Sequence, residues 1–160
     1  MGNQQKRENF FESSVWVLFL VIGVLEILFG LGDMTKGIEN DPAILVSATG
    51  RTPTELKAQD PLIYKAMDQQ QKVIGLTLLM SGVLLSVVSL TAFRGEARWA
   101  WFTFWLVPVS MTFGVISSYN SRQPGESLAP PFYSGSVFAV LTTLWLALSY
   151  RKYLSNGEGE

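Results

Sequence analysis

Few side chains here are of a type to do chemistry, and the most isolated is Glu26. It is the single charged residue in Val15–Leu31, which reads VWVLFLVIGVLEILFGL. A carboxylate in such surroundings can carry a proton, hold a cation or lock a neighbouring helix by a hydrogen bond. Facing hydrocarbon near a bilayer centre it costs on the order of 2.5–3.5 kcal/mol. A second set is Asp33, Glu39 and Asp41, which lack the alternating oxygen-ligand spacing of a calcium loop. A third is Arg94, Arg98, Trp99 and Trp101 together with Trp16, cations beside indoles, a lipid-interface composition suited to anionic headgroups. The chain has no histidine and no cysteine. That removes the default general base, the usual haem ligand, thiolate chemistry and most zinc ligation. No phosphate-loop, dinucleotide, Ser-His-Asp or zinc-binding pattern occurs, and the expectation is no catalytic residue, no metal and no cofactor.

The elements that must position these groups are apolar helices. Of 160 residues, 48% are hydrophobic and only 16% charged, against about 25% charged in a soluble domain. The charges are also segregated, leaving uncharged or nearly uncharged stretches at 15–31, 73–93, 99–118 and 132–150. Runs of about 20 apolar residues, at 1.5 Å each, span a hydrocarbon core of ~30 Å. The reading is an all-α, four-transmembrane-helix bundle forming one integral membrane domain over 1–160. A net charge of −1 without a basic stripe argues against nucleic acid.

Local signals set the boundaries. Ser13 or Ser14 is placed to cap the first helix, and Gly32-Asp33 to end it. The segment 33–72 reads as a long polar loop punctuated by Asn40-Asp41-Pro42 and Gly50. Within it, Thr52-Pro53-Thr54-Glu55 is a capping box with proline at the first helical position, predicting a short helix to about Ala58. Asp60-Pro61 then starts a long helix that enters the second span. Residues 94–98 form a tight cationic link. Pro108, inside the third span, frees a carbonyl one turn earlier. Tyr119–Pro131 reads as a loop, and 154–160 as a disordered tail. No cleavable signal peptide is evident, and Lys6 stands where a myristoylation motif needs Ser or Thr.

Four spans put both termini on one side. Lys6, Arg7, Arg94, Arg98, Arg151 and Lys152 fall on three short segments beside helix ends, so the positive-inside rule places the termini in the cytoplasm and the 33–72 loop outside. On a helical wheel Gly23 and Gly30 share the face of Glu26, where another helix can approach. Counting in from the cytoplasmic ends puts Glu26 level with Ser81, Ser110 and Ala139, with Pro108 close in height. This predicts a small polar ligand-binding pocket of Glu26, Ser81, Ser110 and Pro108. The competing reading is a neutral or hydrogen-bonded glutamate that locks helix packing. Small residues also line single faces of span two (Gly75, Gly82, Ser86, Ser89), span three (Ser110, Gly114, Ser117) and span four (Ala139, Thr143, Ala147). They read as a polar pathway or as close helix packing.

Phe93-Arg94-Gly95-Glu96-Ala97-Arg98-Trp99-Ala100-Trp101 resembles a pattern of small bacterial four-helix membrane proteins, with Arg-Gly-Glu followed by Trp-Ala-Trp at its centre. Thr49–Leu56, ahead of a polar helix, and Leu148-Ser149-Tyr150-Arg151 are similar to it as well. The arrangement is loosely similar to DoxX-like membrane proteins. The resemblance implies a bacterial inner-membrane protein of four spans and carries no activity over to individual residues.

Three functions fit these readings. The first is a non-catalytic membrane protein, an accessory subunit or a bundle that binds lipid or a partner. That partner would be another protein or a second copy, met through the outer loop or the small-residue faces. The second is a small proton-linked carrier or hydrophobic-ligand binder using Glu26. The third is a membrane enzyme acting on a lipid-like substrate, with one carboxylate as its acid or base.

Overall fold

The computed structural model describes residues 2–120 and 130–154. Among them there is helix and no strand, as the composition requires. The order is α1 (Gly2–Lys36), a 3₁₀ turn (Gly37–Glu39), α2 (Ala43–Thr49), α3 (Pro53–Gln59) and α4 (Pro61–Val88). A π-helical turn (Ser89–Phe93), α5 (Arg98–Phe104), α6 (Leu106–Asn120), α7 (Pro130–Leu148) and α8 (Tyr150–Leu154) follow. Three helical stretches are long and apolar enough to cross a membrane: Ser14–Glu39, Pro61–Phe93 and Arg98–Asn120. Tyr133–Leu148 is a shorter apolar helix. The loop residues 121–129 and the tail residues 155–160 lie outside the described residues.

Several boundaries differ from the sequence expectation. α1 begins at Gly2, so Ser13 and Ser14 lie inside the helix and not at its cap. It also runs past Gly32 and Asp33 to Lys36. Tertiary contact overrides the stop signal here, because Asp33 is buried and bonded to other side chains. Gly37, at φ +58°, ends the helix in the left-handed region that glycine adopts without a Cβ penalty. The third span is not one helix. It breaks at Trp105, three residues before Pro108. Pro108 has no N–H for the carbonyl of Phe104 and its ring crowds that carbonyl, and the Trp105 amide bonds Phe102 O at 3.2 Å in place of a full α turn. The fourth helix stops at Leu148, short of the expected Tyr150.

The chain divides into two compact units, Met1–Val21 with Val87–Glu160, and Ile22–Ser86. In the Ile22–Ser86 unit, α1 and α4 pair antiparallel along their glycines, and the 37–60 segment connects them. Thr52 and Glu55 form the predicted capping box: the Thr52 hydroxyl accepts from the Glu55 amide at 3.3 Å and Glu55 Oε2 accepts from the Thr52 amide at 2.8 Å. That backbone bond, then the Thr52 hydroxyl bond, hold the Glu55 carboxyl below its ordinary range. α2 lies where the sequence reads as loop. Its flanks carry the signal, since Asp41 accepts from the Ala43 amide at 3.2 Å and Gly50 at φ +65° stops the helix. Ile38, Leu45 and Leu56 form a small core against Tyr64 and Met67. Complete burial of one such aliphatic side chain contributes roughly 1.5–3 kcal/mol.

The other unit is built on aromatic packing. Phe19 stacks on Phe104 at 4.4 Å, and Phe93 meets both edge-on at 5.5 and 4.6 Å. Tyr153 of α8 stacks on Phe93 at 4.8 Å, and its hydroxyl donates to Phe93 O at 2.8 Å. α6 packs against α7.

Candidate functional site

Two carboxylates lie on the α1 side of the α1–α4 pair, and a glycine seam puts them there. Gly23 packs against Gly82, and Gly30 against Gly75. A Cβ added to Gly23 would lie 2.9 Å from Gly82 O and 2.5 Å from Ser86 Oγ. Small residues at seven-residue intervals on both helices bring the backbones close. Glu26 and Asp33, also seven apart, flank that seam and reach across to α4.

Glu26 and Ser81, which the sequence puts at one height, meet. The Ser81 hydroxyl donates to Glu26 Oε2 at 2.7 Å and shares its single proton with Leu78 O at 3.0 Å. Glu26 is partly buried and Ser81 is exposed. Asp33 is the polar group whose setting sequence reasoning missed. It is 6% exposed, its Oδ1 accepts from Asn40 Nδ2 at 2.8 Å, and its Oδ2 accepts from Gln71 Nε2 at 3.0 Å. The signal for it is the seven-residue step from Glu26 on one helix face, hidden because Gly32-Asp33 reads as a helix end.

The other two residues of the expected pocket belong to the other unit. The Ser110 hydroxyl donates back to Val107 O at 2.9 Å in its own helix. Pro108 is buried and lines an apolar groove of about 280 Å³ with Trp105, Val109, Phe113 and Ile116. The groove's two hydroxyls, Thr112 and Thr143, each donate at 2.7 Å to a carbonyl one turn back. Asp33, Glu39 and Asp41 separate as well. Glu39 accepts from Tyr64 Oη at 3.0 Å, and Asp41 binds its own turn. No group of three acidic ligands forms among the described residues.

The expected interfacial group divides in two. Trp99 is 56% exposed, Arg94 and Arg98 are exposed, and the Arg94 guanidinium lies 5.3 Å over the partly buried Trp16 ring. Such stacking leaves the guanidinium edge open to an anion. Trp101 is instead a core residue, 6% exposed. Its indole N–H donates to Leu146 O and to Ser149 Oγ, each at 3.1 Å. Ser149 Oγ also donates to Leu146 O at 2.9 Å. These bonds converge on Leu146 O at the point where α7 ends.

No family model, no curated protein and no solved structure matches this chain.

Proposed function

We propose that this protein is a non-catalytic, four-span helix bundle of the bacterial inner membrane, an accessory subunit that binds a partner or lipid. Three long apolar helices and the shorter 133–148 helix supply the crossings, with both termini cytoplasmic by the distribution of Lys and Arg. The observation that carries this reading is how the membrane carboxylates are used. Asp33 takes two amide donors and Glu26 takes a serine hydroxyl. Among the described residues, neither has a side-chain hydrogen bond to a second titratable group with which to form an acid–base pair, and the sequence offers no His or Cys. The folded outer segment 37–60, closed by its own core and capping box, gives a rigid surface for docking.

Native mass spectrometry of the full chain in mild detergent tests this. The expected result is retention of a stoichiometric protein partner or of phospholipid. A bare chain that instead holds a small apolar molecule, lost on Glu26→Gln, overturns it in favour of a carrier or ligand binder.

A further inference from the structure

The two carboxylates of the α1–α4 pair differ in how completely they are satisfied. Asp33 receives one N–H on each oxygen. Among the described residues, Glu26 receives one hydroxyl, shared with a backbone carbonyl, on Oε2 alone. The same face of the pair is exposed and apolar toward the Gly30–Gly75 end, with Phe29, one turn from Glu26, 62% exposed and Ile74, two turns from the exposed Ser81, 43% exposed. An ionisable group at this depth is costly unless it is paired. The chain cannot supply the partner itself, because 15–31, 73–93, 99–118 and 132–150 contain neither lysine nor arginine.

We propose that the face of α1 and α4 carrying Glu26 and Ser81 takes a transmembrane helix of another protein that bears a lysine or arginine near mid-membrane. The occupant is fixed by charge complementarity. A second copy of this chain brings only another acid to that depth. A helix also suits the exposed apolar surface of Phe29 and Ile74, which lies toward the Gly30–Gly75 end of the pair and which it would cover as it passes the ion pair. The partner's ammonium or guanidinium reaches Oε1, while Ser81 keeps Oε2 in place. The inference rests on the partner-binding reading above and names the chemistry of that partner.

The test uses the full-length protein in phosphatidylcholine vesicles with a labelled leucine–alanine transmembrane peptide carrying one central lysine, read by energy transfer. The expected result is association at least about ten-fold tighter than for the same peptide without lysine, with that difference abolished by Glu26→Gln. The glutamine carbonyl still accepts the Ser81 proton, so Glu26→Gln keeps the fold. Equal association of the two peptides overturns the inference, as does an unchanged preference in Glu26→Gln. Glu26-dependent self-association, or Glu26-dependent binding of tetraphenylphosphonium in place of the peptide, also overturns it. If the peptides bind alike while native mass spectrometry still retains a protein partner, the partner-binding reading stands and the Glu26 face alone is wrong.

Discussion

Gly30 and Gly75 each stand where the other's backbone leaves no room for a side chain. A Cβ on Gly30 would lie 2.7 Å from Gly75 O and 2.6 Å from the Leu79 amide nitrogen, and a Cβ on Gly75 would lie 2.9 Å from Gly30 O. Both neighbours are backbone and cannot swing aside. Gly30→Ala must therefore push α1 from α4, at a cost of about 1–3 kcal/mol by analogy with overpacked cores. Gly114, on α6, meets nothing within 4 Å. Gly114→Ala should be neutral or stabilising by roughly 0.5–1 kcal/mol, since alanine favours the helix. Thermal unfolding of the two variants in detergent checks the contrast, and equal behaviour would show that the seam is not tight.

Asp33 leads to a second prediction. Its two oxygens accept from Asn40 and Gln71. In Asp33→Asn one acceptor becomes an amide donor facing another donor, leaving buried groups unsatisfied at about 1–3 kcal/mol. Adding Gln71→Glu reverses the bond between these two positions: the amide introduced on α1 donates, and the carboxylate introduced on α4 accepts. The double variant should recover most of the loss, a coupling that a double-mutant cycle in thermal unfolding measures directly.

These two relationships mark what a sequence reader can and cannot see. Apolar runs with few charges announce helices, because in a bilayer every backbone polar group must be satisfied within the helix. The capping box at Thr52–Glu55 and the shared height of Glu26 and Ser81 follow from spacing alone. The settings of Asp33 and Trp101 do not. Each is of a type that belongs at a water interface, yet each is buried because a specific donor or acceptor sits opposite: Gln71, 38 positions away, and Leu146, 45 away. Pairings at such separations leave no local trace. The break at Trp105 is half visible, since Pro108 predicts a freed carbonyl but not whether the helix bends or divides.

Tyr153 ties the stability of its unit to high pH. Its phenol is pushed well above its ordinary range by burial first and by the Glu96 carboxylate second. The folded state therefore holds the phenolic proton more tightly than the unfolded chain does. The stabilisation is fully present below the unfolded value of about 10, and it is lost as pH rises from there toward the folded value. Unfolding midpoints measured from about pH 8 to 11 should fall above about pH 10. In Tyr153→Phe that part of the fall should vanish, with a loss of about 1 kcal/mol at neutral pH from the missing bond to Phe93 O. An identical alkaline fall in both proteins would assign the titration elsewhere.

Pro108 divides the third apolar stretch, and restoring its amide should rejoin it. In Pro108→Ala the new N–H faces Phe104 O, the carbonyl the proline leaves without its α-helical donor. The Trp105 amide can then exchange its 3.2 Å bond to Phe102 O for a regular α bond. Two consequences separate a merely tolerated proline from a shaping one. Spin labels at Trp99 and Ser117 should report a single narrow distance near the ~27 Å of an unbroken helix, against a shorter one in the parent chain. The apolar groove between Trp105, Pro108 and Phe113 should also change. A spin-labelled acyl chain that contacts these side chains in the parent should lose part of its immobilised signal in the variant. Unchanged distances would mean that packing of α5 through Phe104 and Trp101, and not the missing amide, holds the break in place.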